Sequence, residues 1–329
     1  MSVMSAPSPN ALPRFVHDLG HGVFCIDTAF VRDEFDAAYL LVDDGRAAFV
    51  DTGTHFAVPR LLAALDALAL PRDAVDWVIP THVHLDHAGG AGALMAELPV
   101  ASLLIHPRGA RHMVDPTALW QGATAVYGPD EMQRSYGQVV PVPETRVQTS
   151  HDEQALTVGR RTLRLIDTPG HARHHHCIWD EASRGWFAGD CFGISYPELG
   201  NAEGGWILPT STPVQFEPAE LDKTIARLLA AEPACMYLTH YGRVGEGGGV
   251  PRLGRILREV LAQSVAMAEA VRGHASRHEA LKAGLLDIYA DSSARHGCGF
   301  TRDEIARLLA VDIELNAQGT AVWLDKSRH

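Results

Sequence analysis

Through the first half of the chain, apolar residues fall in short runs bounded by turns. Runs at 23–26, 38–42 and 47–50 have strand length, and Asp43-Asp44-Gly45 joins the last two as a hairpin. Asp51-Thr52-Gly53 stops the third run. Leu61, Leu62, Leu65 and Leu68 then repeat at helical spacing, which predicts a helix over 59–70. A buried strand at 75–79 runs into Pro80-Thr81-His82. Gly89-Gly90 opens a helix bearing Leu94 and Met95, and 102–105 is strand-like again. Strand–helix alternation of this kind predicts an α/β fold. Residues 115–145 lose the pattern. Aromatics, glycines and polar residues mix there without a period, and the segment reads either as a surface excursion or as a lid carrying Trp120, Tyr127 and Tyr136.

Strands resume near residue 155. Leu163 and Leu165 alternate with Thr162 and Arg164 up to Asp167-Thr168-Pro169-Gly170-His171, and runs at 177–179 and 186–188 form a hairpin ending in Gly189-Asp190. A helix begins at Pro218, and the run at 235–238 delivers Thr239-His240. The glycine-rich stretch 245–249 lacks the lysine and spacing of a phosphate loop and reads as a linker. Beyond it the texture is helical. Leu253, Ile256, Leu257, Val260, Leu261 and Val265 have helical spacing, while Ser276 with Glu279 and Thr301 with Glu304 predict two capping boxes. The expected organisation is an α/β domain over 1–249 with a helical region, 250–329, packed on it.

Composition narrows the possibilities. The chain has 329 residues, 46% hydrophobic and 21% charged, which suffices for a large core and argues against wholesale disorder. A net charge of −12 argues against nucleic acid or anionic lipid as a partner. No apolar run reaches the ~18 residues of a membrane span. The opening MSVMSAPSPN lacks the basic and apolar regions of a secretion signal and reads as a frayed tail. Five scattered cysteines, with no CxxC pair, fit small buried side chains in a cytoplasmic protein better than a disulfide framework.

Histidine is the informative residue, with 18 copies in several clusters. His82, His84 and His87 stand with Asp86 in one turn after an apolar strand, and imidazole with carboxylate is a donor set for zinc and its neighbours. A tight turn can direct His82 and His84 to one side, and Asp86 and His87 to another. This string resembles the HxHxDH motif of the metallo-β-lactamase fold superfamily. The resemblance continues in that family's order: Asp51 in Asp-Thr-Gly, His171 in Thr-Pro-Gly-His, Asp190 in Ala-Gly-Asp, and His240 in Leu-Thr-His. It implies a four-layer αββα sandwich with a C-terminal helical extension. It also implies a dinuclear site: His82, His84 and His171 on one divalent ion, Asp86, His87 and His240 on the other, and Asp190 bridging. Zinc is the expected metal, with iron or manganese as alternatives. Asp51 and His175 would support the ligands by hydrogen bonding. His174 stands where the family often has glycine.

What the resemblance implies about activity is a hydrolase in which hydroxide activated by two metals attacks a small acyl substrate, with Asp86 orienting it. β-Lactam-opening members typically replace the bridging Asp with Cys or Ser, and the flavodiiron branch has Glu at the position of His84. Nuclease branches share the motif, but the acidic balance disfavours a polyanionic substrate. A thioester is expected ahead of a lactone, and a mononuclear iron dioxygenase of the persulfide-oxidising type is the further alternative. In the lactonase branch a tyrosine follows the bridging Asp by three residues, where this chain has Gly193. Tyr127, Tyr136, Tyr196 and Tyr241 are the candidate substrate-contacting residues. A homo-oligomer is left open.

Overall fold

A computed structural model describes residues 11–327. The segment read as a frayed tail, 1–10, lies outside the described residues. The first sheet has the order β1-β2-β3-β4-β5-β6-β7. Its strands are β1 (Val16–Asp18), β2 (Val23–Asp27), β3 (Ala37–Asp43), β4 (Arg46–Val50), β5 (Val75–Ile79), β6 (Ser102–Ile105) and β7 (Val147–Thr149). The first four pair antiparallel, and β4 to β7 pair parallel. The second sheet has the order β13-β12-β11-β10-β9-β8. It contains β8 (Gln154–Val158), β9 (Arg161–Asp167), β10 (His176–Asp180), β11 (Gly185–Gly189), β12 (Cys235–Leu238) and β13 (Gly242–Val244).

Alternation along β3 shows why two sheets stack. Tyr39 and Leu41 enter the core shared with the second sheet, where Leu163, Leu165 and Phe187 lie. Ala38 and Leu40 face the other way, onto Leu61 and Leu65 of α1 (Val58–Ala67). Both faces are buried, so the strand carries an apolar run rather than a polar/apolar alternation. Past α2 (Leu85–Ala88), α3 (Ala91–Glu97) adds Leu94 and Met95 to that outer layer. On the far side α7 (Pro218–Ala230) and α8 (Val250–Ala270) cover the second sheet. The result is the αββα sandwich with a helical C-terminal extension. In that extension α9 (Arg277–Arg295), α10 (Arg302–Leu308) and α11 (Ala310–Lys326) follow α8, and they share one apolar cluster with the second sheet.

Several expectations change in detail. The helix expected to reach residue 70 ends at Ala67. The stretch 115–145 is largely ordered helix: after α4 (Pro107–Val114) come α5 (Thr117–Tyr127) and α6 (Pro129–Glu131), then a π-helical turn over Met132–Tyr136. No side chain of α5 is fully buried, so no apolar stripe marked it. Thr301 and Glu304 form their capping box on α10, but the Ser276 hydroxyl makes no cap bond to α9. Among the described residues, no helix is long and apolar enough to cross a membrane.

Candidate metal centre

The carboxyl ends of parallel strands deliver the site. Asp51 follows β4 and His82 follows β5, while Asp190 follows β11 and His240 follows β12. The turn after β9 brings His171 across. His82, His84 and His171 place their ring nitrogens within 4.8 Å of one another, and so do the donors of Asp86, His87 and His240. Asp190 stands between the groups. One oxygen lies 3.3 Å from His171 Nε2, and the other lies 3.2 Å from His87 Nε2 and 3.6 Å from His240 Nε2.

Hydrogen bonds on the far side of each ring decide which nitrogen points inward. His87 Nδ1 donates to Asp51 Oδ2 at 2.8 Å, and His240 Nδ1 donates to the carbonyl of Phe35 at 3.1 Å. Thr210 Oγ1 donates to the carbonyl of Asp190 at 3.1 Å, so it accepts from His171 Nδ1 at 2.7 Å. His82 Nδ1 is 3.1 Å from Thr81 Oγ1. These four rings therefore offer Nε2 to the centre, whereas His84 offers Nδ1, 2.9 Å from His82 Nε2 and 3.1 Å from His171 Nε2. Asp51 also accepts from Thr81 N at 2.6 Å and from Thr239 Oγ1 at 2.7 Å. It holds a left-handed backbone (φ 55°), an uncommon conformation for a residue with a side chain, and its bonds fix it there.

Charge divides the site. Burial pushes His84 down to about 3 and His171 to about 4, and it holds His82 well below its ordinary value, so these three offer lone pairs at neutral pH. Burial acts on His240 in the same direction, but Asp190, Asp86 and Asp36 overcome it and raise this imidazole to about 10. His87 is likewise raised against burial by Asp190, Asp51 and Asp86. Although burial would raise Asp86, His87 and His240 hold it down to about 2.

A divalent cation fits this set. His87 Nε2 and Asp190 Oδ1 are buried without a well-directed hydrogen-bond partner, a costly arrangement that coordination would relieve. A cation would also take over the neutralising role of the imidazolium protons beside Asp86 and Asp190.

A family model described as the metallo-beta-lactamase superfamily matches residues 18–240. The chain belongs to this superfamily. Members are mostly hydrolases and usually bind divalent metals. An uncharacterised protein of Aquifex aeolicus is 26% identical over 212 residues, 64% of this chain and 82% of that protein. The acyl-coenzyme A thioesterase MBLAC2 of Gallus gallus is 29% identical over 193 residues, 55% of this chain and 67% of the relative. Among solved structures, superfamily protein TTHA1429 of Thermus thermophilus superposes with a TM-score of 0.67 at 19% identity, covering 94% of this chain and 95% of that one. That likeness concerns the fold.

Of the remaining sequence candidates, His175 accepts from Asp190 N at 3.3 Å and bonds Thr168 Oγ1 at 2.8 Å. Tyr127 and Tyr136 lie tilted against each other, 5.3 Å between ring centres, and burial, reinforced by the charge of Asp86, raises both phenols. Tyr196 is buried and donates to Asp312 Oδ1 at 3.0 Å, while the Tyr241 hydroxyl neighbours Cys25, Asp27 and Glu34. The structure thus brings Tyr127 and Tyr136 toward the centre and turns Tyr241 away. His174 is buried, with its ring parallel to His82 at 6.0 Å. Sequence reasoning missed Thr210, which orients His171, and Asn316. The latter accepts from Ser211 N at 2.6 Å and donates to the carbonyl of Pro209 at 3.0 Å, fixing the loop that carries Thr210. Neither residue falls in the motifs read from the sequence.

Proposed function

We propose that this protein is a metal-dependent hydrolase of small acyl compounds, with thioesters as the first substrate class. The observation that carries this reading is the convergence of seven donors, four of whose rings are oriented by a hydrogen bond at Nδ1. His82, His84 and His171 would hold one divalent ion and Asp86, His87 and His240 the other, with Asp190 shared. Zinc suits these donors, and iron or manganese would too. Such ions, when bound, supply Lewis acidity that makes water nucleophilic near neutral pH and polarises an acyl carbonyl.

The chain's own groups do the rest. Asp86 stays ionised, so Oδ2 can accept a hydrogen bond from the attacking water and orient it toward the acyl carbon. Water adds to that carbon and the carbon–sulfur bond breaks, giving a carboxylic acid and a thiol. Leu85, Met132, Tyr136 and Val139 form an apolar cluster, with Trp120 and Tyr127 packed on it, and this cluster offers a wall for the acyl group. The MBLAC2 resemblance favours thioesters over lactones. So does Gly193, because a side chain added there would meet the carbonyl oxygen of Leu208 at 2.3 Å. The test is metal analysis followed by assay on thioesters, lactones, phosphodiesters and β-lactams. Thioester hydrolysis at two bound ions per chain is expected. Turnover of only another class, or a single tightly bound ion with His240 remote from it, would overturn the reading.

A further inference from the structure

A cavity of about 420 Å³ opens beside the histidine centre, bounded by Arg108, Arg111, His112, Arg173, His174 and Gln215. Its charge is out of character with the chain. The protein carries −12 overall, and Arg46, Arg227, Arg258 and Arg277 each lie against a carboxylate. Among the described residues, no carboxylate comes within 4.0 Å of Arg108 or Arg111 to form an ion pair. The two sit three apart on α4 and share a face, where like charges repel unless something compensates them. Arg173 enters from the loop after His171 and is partly committed, its guanidinium paired with Glu217. Arg108 Nη1 donates to the carbonyl of Arg173 at 3.4 Å, which ties the helix side of the cavity to the loop side.

The cavity is joined to the centre through one ring. His174 lines it and lies 5.6 Å from the His84 ring and 6.0 Å from the His82 ring, with Val83 N 3.5 Å from its Nδ1. The His174 ring therefore stands between a group held by the arginines and the ligand histidines. Arg111 Nε donates only to the neighbouring His112 Nε2, at 3.4 Å. Guanidinium forks bind phosphate and carboxylate oxygens in pairs, and two forks without a carboxylate partner, with a third nearby, form a receptor for an oxyanion.

We infer that this cavity holds an anionic portion of the substrate, phosphate or carboxylate, remote from the scissile bond. The natural substrate is then an acyl compound with a charged carrier, the acyl group lying toward Tyr127 and Tyr136 and the carrier toward α4. The inference rests on the acyl-hydrolase reading for its kinetic test but not for its binding test.

The binding test titrates adenosine 3′,5′-bisphosphate, for phosphate, and S-methylglutathione, for carboxylate, into the purified protein and into the double variant Arg108→Ala/Arg111→Ala. Both arginines are exposed on α4, so the variant should fold. Loss of affinity of about tenfold or more for one probe is expected from removing charge-assisted bonds, and that probe identifies the oxyanion. Equal affinity of variant and parent for both probes overturns the inference. The kinetic test compares thioesters of one acyl group on coenzyme A, on glutathione and on uncharged N-acetylcysteamine. The ratio of kcat/KM, charged over uncharged, should fall about tenfold in the variant, and an unchanged ratio overturns the inference. Arginine-dependent binding without thioester hydrolysis in the parent would support the cavity and defeat the thioester reading instead.

Discussion

Asp190 divides its oxygens between two groups of nitrogens, so the single substitutions should separate. His84→Ala is expected to deplete the first group of its metal and His240→Ala the second, whereas Asp190→Ala should deplete both, as read by metal content per chain. A different carboxylate, Asp312 of α11, is pushed up to about 6, chiefly by burial, although His240 and Tyr196 act to lower it. Its folded value lies above its ordinary one of 3.8, so the folded state gains from its proton. That contribution is complete below about pH 4 and is lost as pH rises through 6. Asp312→Asn should therefore raise stability relative to the parent at pH 8 by up to ~3 kcal/mol, and by about half as much at pH 5. Chemical denaturation at the two pH values reads the difference.

Among elements, caps give a direct contrast. Thr301 and Glu304 bond reciprocally at the start of α10, so Thr301→Ala should cost about 1 kcal/mol. Ser276→Ala, at a position with the same sequence signature, should cost little, because no cap bond exists to lose. Thermal denaturation of both variants checks the pair. α5 offers a functional contrast: Tyr127→Ala should leave metal content intact while lowering kcat/KM by about 1–3 kcal/mol of transition-state stabilisation, as for a pocket aromatic. The same elements show what was legible. Strands β2 to β6 and β10 to β12 declared themselves because burial on both faces leaves apolar runs between turns, and β9 because its partly exposed face makes apolar and polar residues alternate. The three-residue strands β1, β7 and β13 are too short to show a period. The HxHxDH turn was legible because its donors are contiguous. The supports of the site were not: Thr210 lies 39 residues from His171, and Asn316 lies 105 from Ser211, and only the folded chain makes these neighbours.

At the scale of the whole molecule, the helical extension and the centre are physically continuous. α11 approaches the 209–211 loop so closely that a Cβ at Gly319 would lie 1.6 Å from the carbonyl oxygen of Ser211. Backbone must move to admit it, so Gly319→Ala should cost roughly 1–3 kcal/mol and also weaken metal retention, because the displaced loop carries Thr210. Gly122→Ala on α5 meets nothing within 4 Å and should be neutral or slightly stabilising, which provides the control in the same denaturation and metal-retention assays.

Asp51 reaches across the sandwich in the same way. It stands at the end of β4, accepts from Thr81 after β5 and from Thr239 after β12, and sets the direction of His87. The registration of one sheet on the other and the bearing of one imidazole are thus a single coordinate. A sideways slip between the sheets would rotate that ring before it opened the apolar layer. Changes deep in this layer, far from any donor, are then felt at the centre through the aim of that one ring.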